Sequence, residues 1–215
     1  MKDIAIIGAG GFGREVKMLI DQINRHQPAY NLVGFYDDGV RSGTIINGFP
    51  VLGEVEMINR VTRNICIIVA IGSPQLKEKM ISKINNPFIS YPTLIHPNAL
   101  IGDDNVNLGK GCIICAGTII TVNIDIGDHV ILNLSCTVGH DSKIGNYCSF
   151  MPSVNVSGEV NINDYVYIGT GAKIINQLEI GTHSIIGAGA VVSRSIPAKC
   201  TAVGIPAKPI RYHET

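Results

Sequence analysis

An apolar position recurs every six residues through the second half of the chain. The frame holds over fifteen successive positions, nine of them isoleucine: Leu108, Ile114, Ile120, Ile126, Leu132, Val138, Ile144, Phe150, Val156, Ile162, Ile168, Ile174, Ile180, Ile186 and Val192. Ile95 and Ile101 keep the spacing but lie one residue out of frame, which predicts a one-residue insertion between Ile101 and Leu108. A six-residue period is the hexapeptide repeat of a parallel β-helix, in which three hexapeptides close one triangular coil.

Residues 1–91 follow a different pattern, in which short apolar runs alternate with helical periodicity. The run Ile4–Ile7 predicts a buried parallel strand, and further strands are predicted at 32–36 and 65–71. Ser73-Pro74 predicts the start of a helix, since serine suits the N-cap and proline the first turn. An amphipathic helix after the first strand is predicted from Phe12, Val16, Leu19, Ile20 and Ile23. The sequence therefore predicts two domains, a small Rossmann-like α/β unit at 1–91 and a parallel β-helix at 92–215.

A glycine motif lies between the first predicted strand and helix, where Gly8, Gly10 and Gly13 match GxGxxG. Glycines let the backbone approach a phosphate, and a helix N-terminus offers N–H groups to it. Asp37 follows the motif at about the sequence separation of the acidic residue that binds a ribose hydroxyl in dinucleotide-binding folds. A tight strand-to-helix turn without a ligand is the alternative interpretation. NAD is disfavoured because about 90 residues supply too few strands for a full dinucleotide-binding domain.

Composition and charge narrow the function classes. Lys+Arg and Asp+Glu both number 17, so the basic stripe of a nucleic-acid binder is not expected. No apolar run approaches the roughly 20 residues that span a bilayer, and we expect a cytoplasmic protein without membrane insertion. Six cysteines lie in apolar surroundings, which favours reduced core thiols. A lone CxxC, Cys112 to Cys115, is weak evidence for a metal, so no metal is expected.

Six blocks, in order, carry a resemblance that covers nearly the whole chain: IAIIGAGGFGREV, VGFYDD, VAIGSPQLKEKM, LIHPNALIG, GHDSKIG and IGAGAVVSRSIPAKCTAVGIPAKPI. They resemble the hexapeptide-repeat acyltransferases and, among these, the NeuD/PglD-like bacterial sugar acetyltransferases. The resemblance implies a left-handed β-helix, a homotrimer and acetyl-CoA in the groove between neighbouring β-helices. It also implies a nucleotide-sugar or sialic-acid acceptor at the N-terminal unit, and a role in cell-surface polysaccharide biosynthesis.

The same resemblance implies the site residues. His140 corresponds to the active-site histidine, Asp141 to the acid that raises its basicity, and Asn133 to a polar active-site position. The implied acetyl-CoA contacts are Ser149, Gly158, Thr170 and Ala188. The implied acceptor contacts are Gly10, Gly11, Phe12, Gly13, Asp37, Asp38, Gly72 and Ser73. The chain departs from the family at Phe12 and Ser149, where members often have histidine, and at Gly139, where they often have glutamate.

The position of His140 in the repeat and the chemistry of its imidazole agree with a role in acetyl transfer. The repeat places His140 outward near a corner, and neutral imidazole is a natural general base near pH 7. It would take a proton as the acceptor attacks the thioester. We favour an amino group on a nucleotide-linked sugar, because a glycine loop at a helix N-terminus suits a pyrophosphate. O-acetylation of sialic acid or a related sugar is the alternative, and a non-catalytic β-helical scaffold is the remote one.

The other histidines give weaker signals. His129 and His183 occupy outward repeat positions and are expected to be surface residues. A zinc enzyme on this fold needs three histidine ligands, two of them close in sequence. Here the two nearest histidines, His129 and His140, are eleven residues apart, so this alternative is disfavoured.

Overall fold

A computed structural model describes residues 1–213 and divides the chain into two compact units, 1–97 and 98 onward. In the first unit a six-stranded sheet has the strand order β3-β4-β2-β1-β5-β6. Its elements are β1 (Lys2–Ile7), α1 (Gly11–His26), β2 (Tyr30–Tyr36), β3 (Ile45–Ile46), β4 (Phe49–Gly53), a 3-10 turn (Val55–Arg60), β5 (Ile65–Val69), α2 (Pro74–Ser82) and β6 (Ile89–Ser90). β1 pairs in parallel with β2 and β5, as the Rossmann-like prediction requires.

A two-strand hairpin, β3–β4, extends this sheet and was not predicted. Its turn is Asn47-Gly48, and both residues have positive φ, 45° and 86°. Asn-Gly is the dipeptide that a two-residue hairpin turn prefers, because both central residues must adopt the left-handed region. The signal was therefore present in the sequence, although the flanking strand Ile45–Ile46 is too short to show alternation.

The second unit is a left-handed β-helix whose short strands follow one another at six-residue intervals. After β7 (Leu94–Ile95) come β8 (Leu100–Ile101), β9 (Val106–Leu108), β10 (Ile113–Ile114), β11 (Ile119–Ile120), β12 (Ile124–Ile126), β13 (Ile131–Leu132), β14 (Thr137–Val138), β15 (Lys143–Ile144), β16 (Ser149–Phe150), β17 (Asn155–Val156), β18 (Asn161–Ile162), β19 (Tyr167–Ile168), β20 (Lys173–Ile174), β21 (Glu179–Ile180), β22 (Ile185–Ile186), β23 (Val191–Val192), β24 (Cys200–Gly204) and β25 (Ala207–Tyr212). From β7 to β20 each strand pairs with the strand three further on, for example Ile120 with Val138. Three parallel sheets result, and antiparallel β24 and β25 end one of them.

The apolar residues of the six-residue repeat form the core, as predicted. From Ile114 onward every one of these side chains is at most 4% exposed, and Leu108 packs against the hydrophobic cluster that they form. Ile101 pairs with Ile120, nineteen residues on, which confirms the one-residue insertion. At the start of the β-helix Ile95 is 38% exposed and Leu94 is buried, and neither belongs to the hydrophobic cluster of the coils.

At each corner of the β-helix one residue per coil has positive φ, near 60°. We name the corners by their residues. The amide–carboxylate corner consists of Asn105, Asn123, Asp141, Glu159 and Gln177. The aromatic corner consists of His129, Tyr147, Tyr165 and His183. The small-residue corner consists of Gly117, Ser135, Ser153, Gly171 and Gly189.

The aromatic corner corrects the prediction that His129 is a surface residue. The four rings stack along the β-helix with centroids 5.5, 5.2 and 4.5 Å apart. His129 at one end is only 2% exposed, because Tyr147 covers one face of its ring. Coil stacking brings these rings together at a spacing of eighteen residues, so these histidines serve packing.

Candidate active site

His140 and Asp141 lie together in the turn between β14 and β15. His140 Nδ1 is 2.8 Å from Asp141 Oδ2, and the two side chains are 56% and 50% exposed. The outward position predicted for His140 is therefore correct. Because Nδ1 is engaged by the carboxylate, Nε2 is the nitrogen left for an external partner.

The backbone fixes the direction of the Asp141 side chain. Asp141 has φ +57°, a conformation that aspartate and asparagine tolerate better than other side chains. Its second oxygen, Oδ1, accepts a hydrogen bond from Asn123 Nδ2 at 3.0 Å. The hydrogen bond with His140, and then that from Asn123, lower the pKa of Asp141 below its ordinary value. Asp141 is thus held as a carboxylate beside the imidazole.

Gly158 lies one coil further on, directly against the ring of His140. A Cβ atom at Gly158 would be 2.5 Å from both Cε1 and Nε2 of His140. The backbone joins the two coils here, since Glu159 N donates to His140 O at 2.8 Å. Gly158 was predicted as an acetyl-CoA contact, and the structure adds that it provides the space for the imidazole.

Asn133 does not meet His140 within one chain. Asn133 lies in the turn before β14 and His140 in the turn after it, so the strand separates them. The Asn133 side chain is buried, and its Oδ1 accepts from Leu134 N at 2.7 Å. In the single chain Asn133 therefore braces its own turn.

The other predicted acetyl-CoA contacts lie away from the His140 turn. Thr170 and Ala188 are exposed and occupy equivalent places on successive coils, next to the small-residue corner. Gly189 N donates to Thr170 O at 2.8 Å, which joins these coils. Ser149 lies in β16 and is fully buried. One chain thus presents the predicted acetyl-CoA contacts at separate places.

The first unit contains a cavity of about 450 Å³ at the carboxyl ends of β1, β2 and β5. Five predicted acceptor contacts line it: Gly10, Gly11, Phe12, Asp37 and Asp38. Sequence reasoning missed the apolar part of the wall, which includes Tyr36, Val55 and Met80. The crevice at the ends of parallel strands is where open α/β sheets bind ligands.

Three predicted acceptor contacts do not line this cavity, namely Gly13, Gly72 and Ser73. Gly13 packs so tightly that a Cβ atom would lie within 3.0 Å of the Gly8 carbonyl. Ser73 caps α2, because its side chain accepts a hydrogen bond from Leu76 N at 3.4 Å. Gly13 and Ser73 thus have structural reasons to be present.

Asp37 and Asp38 bind the protein's own backbone. Asp37 Oδ2 accepts from Ala9 N and Oδ1 from Gly39 N, both at 2.8 Å, so this side chain braces the glycine loop. Asp38 accepts from Val55 N at 2.8 Å and pairs with Lys83 Nζ at 2.6 Å. The hydrogen bond with Lys83 is the main cause that lowers the pKa of Asp38.

A shallow groove of about 790 Å³ runs along β9, β12, β15 and β18. Its floor carries the outward ladder Asn107, Asp125, Lys143 and Asn161. Sequence reasoning missed this groove, because the outward positions of the repeat vary without a period of their own. Within residues 1–213 no three His, Cys, Asp or Glu side chains are grouped to hold a metal ion. Over the same residues no helix is both long and apolar enough to cross a membrane.

Comparison with known proteins identifies relatives of both units. Residues 3–84 match the family model of the PglD N-terminal domain. GDP-perosamine N-acetyltransferase of Escherichia coli O157:H7 is 33% identical over 136 residues, 63% of this chain and 61% of that protein. UDP-N-acetylbacillosamine N-acetyltransferase of Bacillus subtilis strain 168 is 33% identical over 116 residues, 54% of this chain and 52% of that protein. The matched part thus spans less than two thirds of these two relatives.

Solved structures match over nearly the full length. WeeI from Acinetobacter baumannii AYE is 35% identical, with a TM-score of 0.88, and the match covers 98% of this chain and 100% of WeeI. A perosamine N-acetyltransferase from Caulobacter crescentus, with one histidine replaced by asparagine, was solved in complex with CoA and GDP-perosamine. It is 31% identical, with a TM-score of 0.85, and the match covers 98% of both chains.

Proposed function

The chain belongs to the PglD-like family of bacterial sugar acetyltransferases, and from this premise we propose that it transfers an acetyl group from acetyl-CoA to the amino group of a nucleotide-linked amino sugar. The observation that carries the proposal is the His140–Asp141 pair, which presents the free Nε2 of an exposed imidazole. Both curated relatives are named N-acetyltransferases of nucleotide-linked sugars, which favours an amine acceptor over the hydroxyl of a sialic acid.

His140 acts as the general base in this proposal. The neutral amine attacks the thioester carbonyl, and Nε2 of His140 takes the proton that the nitrogen gives up. The C–S bond then breaks, and the proton passes to the departing CoA thiolate. Asp141 keeps Nδ1 protonated and stabilises the imidazolium that forms, as the aspartate of a Ser-His-Asp triad does.

Two copies of the chain are proposed to form each site. Gly158 lies beside His140, whereas Thr170 and Ala188 lie next to the small-residue corner, at the other edge of the sheet that contains β14, β17 and β20. The resemblance to the hexapeptide-repeat acyltransferases implies acetyl-CoA between neighbouring β-helices, where one copy supplies the first place and its neighbour the second. We therefore propose a homotrimer with the cofactor between neighbours, and sedimentation equilibrium tests it; a fully active monomer would refute the shared site.

The acceptor's nucleotide is proposed to occupy the cavity of the first unit. The loop at Gly10 and Gly11 begins α1 without a side-chain cap, so its N–H groups are open to a phosphate. Asp37 holds this loop through Ala9 N. A cytoplasmic site of action is part of the proposal, since all six cysteines are buried thiols outside any disulfide, as in proteins of reducing compartments.

The test is release of CoA thiol from acetyl-CoA with a panel of GDP- and UDP-linked 4-amino sugars and free sialic acid. We expect turnover with at least one nucleotide-linked amino sugar and none with sialic acid. His140→Asn should lower kcat by about 10²-fold or more, the usual contribution of a general base. Asp141→Asn should lower kcat less, because it leaves the base in place. Wild-type turnover in His140→Asn would refute the mechanism, and acetylation of sialic acid alone would refute the acceptor.

A further inference from the structure

Asn123 occupies the amide–carboxylate corner one coil before Asp141. Its Nδ2 donates to Asp141 Oδ1 at 3.0 Å, and its Oδ1 accepts from Asn105 Nδ2 at 3.0 Å. Both residues before Asp141 at this corner are asparagines, and φ is 53° and 55°. A continuous row of side-chain hydrogen bonds therefore runs from Asn105 to His140.

The row fixes which way each group points. Because Asn105 donates to the carbonyl oxygen of Asn123, the amide nitrogen of Asn123 must face Asp141. Asp141 is half exposed, so water alone would let its carboxylate rotate. With Oδ1 bound by Asn123, the other oxygen, Oδ2, is directed at Nδ1 of His140.

We propose that Asn123 is a positioning residue for the His140–Asp141 pair, acting through the carboxylate of Asp141. This inference rests on the proposed function for its effect on turnover. Asn123 touches no reacting atom in this scheme. Its amide is neutral and cannot be protonated, so it holds Asp141 in one orientation without competing for the proton on His140.

The next coils of the same corner supply a matched control. Gln177 Nε2 donates to the carboxylate of Glu159 at 3.2 Å, which repeats the amide–carboxylate pairing. Gln177 has φ +60°, close to the value at Asn123. Among the hydrogen bonds of residues 1–213, the side-chain bonds of Gln177 go to Glu159 and do not involve Asp141. Asn123→Gly and Gln177→Gly therefore remove equivalent side chains at positions where glycine is unstrained.

The experiment measures kcat, KM and the pH dependence of kcat for the wild type, Asn123→Gly, Asn123→Asp and Gln177→Gly. We expect Asn123→Gly to lower kcat about tenfold, the factor that the loss of one hydrogen bond to a charged group produces. Both KM values should stay within about twofold, and Gln177→Gly should match the wild type. The acidic limb of the Asn123→Gly profile should move to lower pH, because a mobile carboxylate stabilises the imidazolium less.

Asn123→Asp is expected to shift the acidic limb of the pH profile in the direction opposite to Asn123→Gly. A second carboxylate near His140 should move the acidic limb to higher pH, because added negative charge favours the imidazolium. A residue that only supports the fold would leave the acidic limb of Asn123→Gly in place. Circular dichroism checks folding. If Asn123→Gly does not fold, the kcat of Asn123→Asp decides the matter, because aspartate tolerates this backbone conformation but has no N–H to hold Asp141: kcat should fall about tenfold, and a wild-type kcat overturns the positioning role.

The His140 titration is also followed by NMR of the imidazole, which needs no substrate. If the wild type acetylates no acceptor but the NMR titration shifts as stated, the proposed function fails and the positioning role stands. If the titration and kcat of Asn123→Gly equal those of Gln177→Gly, the positioning role is overturned, whether or not the enzyme is active.

Discussion

The ring of His140 lies against Gly158, so that any side chain at residue 158 would begin 2.5 Å from Nε2. The two residues are eighteen positions apart, one full coil of the β-helix, and hydrogen bonding between their coils keeps this separation. A glycine is therefore required here by the geometry of the histidine.

Gly158→Ala should lower kcat at least tenfold, because the new methyl group forces the imidazole out of its place against the coil. The fold should persist, since the ring can turn toward solvent. Kinetics with acetyl-CoA and a nucleotide-linked amino sugar measure the effect. If only the KM for acetyl-CoA rises, Gly158 contacts the cofactor and the clearance explanation is wrong.

A double variant provides the control for this prediction. If Gly158 acts through His140, then Gly158→Ala should cost little further activity in the background of His140→Asn. Fully multiplicative losses would show that the two residues act independently.

The glycine loop of the first unit yields a paired prediction. A Cβ atom at Gly10 meets nothing within 4 Å, and the backbone there is extended, with φ −75° and ψ −162°. Gly10→Val should therefore fold normally but obstruct the cavity, raising the KM for the acceptor at least tenfold while the KM for acetyl-CoA stays constant. UDP or GDP, whichever inhibits the wild type against its acceptor, should inhibit this variant more weakly.

Gly13→Ala should behave in the opposite way. A Cβ atom would overlap the Gly8 carbonyl, so we expect the variant to lose about 1–3 kcal/mol of stability through overpacking. Urea unfolding measures this loss. A stable Gly13→Ala protein with weakened acceptor binding would mean that Gly13, too, faces the acceptor.

The β-helix could be predicted because its six-residue period is visible over short stretches of sequence. Every sixth residue must be apolar for the coil to close, and the repeat positions from Ile114 to Val192 are buried as expected. Asn123 could not be found in this way, because its partner Asp141 lies eighteen residues on and the residues of their corner are not all of one type. Contacts between coils depend on side-chain direction at positive φ, which a local pattern does not encode.

Some of the site residues predicted in the first unit line its cavity and others do not, for a related reason. The motif marks glycines without separating those that face a ligand from those that admit close packing. Gly10 and Gly11 line the cavity, whereas Gly13 is pressed against Gly8. The distinction depends on which backbone lies opposite each glycine, and only the folded chain supplies that information.

A fragment of residues 93–215, which keeps β7, should fold without the rest of the first unit. Its hydrophobic cluster contains only residues between Ala99 and Ala207, so the core needs no side chain from residues 1–97. Circular dichroism should show strand structure with cooperative unfolding, and calorimetry should show CoA binding without acceptor binding. An aggregated or unfolded fragment would contradict the independence of the two cores.

The charge of Asp141 should make stability depend on pH. Its pKa is lowered below the ordinary 3.8 by hydrogen bonds from His140 and Asn123, so the native state holds its proton less tightly than the unfolded chain does. The stabilisation is therefore fully present above the ordinary pKa and is lost as the pH falls below about 4 toward the lowered value. Asp141→Asn keeps a side chain that tolerates φ +57° but lacks this charge.

Urea unfolding midpoints of the wild type and Asp141→Asn should therefore differ at pH 7 and converge as the pH is lowered from 4 toward 2. Glu159→Gln is the matched control, since it removes a carboxylate at the same corner whose partner is Gln177. Its difference from the wild type should be smaller at pH 7, because Glu159 has a neutral amide for a partner where Asp141 also has an imidazole. An Asp141→Asn difference that is unchanged down to pH 2 would mean that the carboxylate charge does not stabilise this turn.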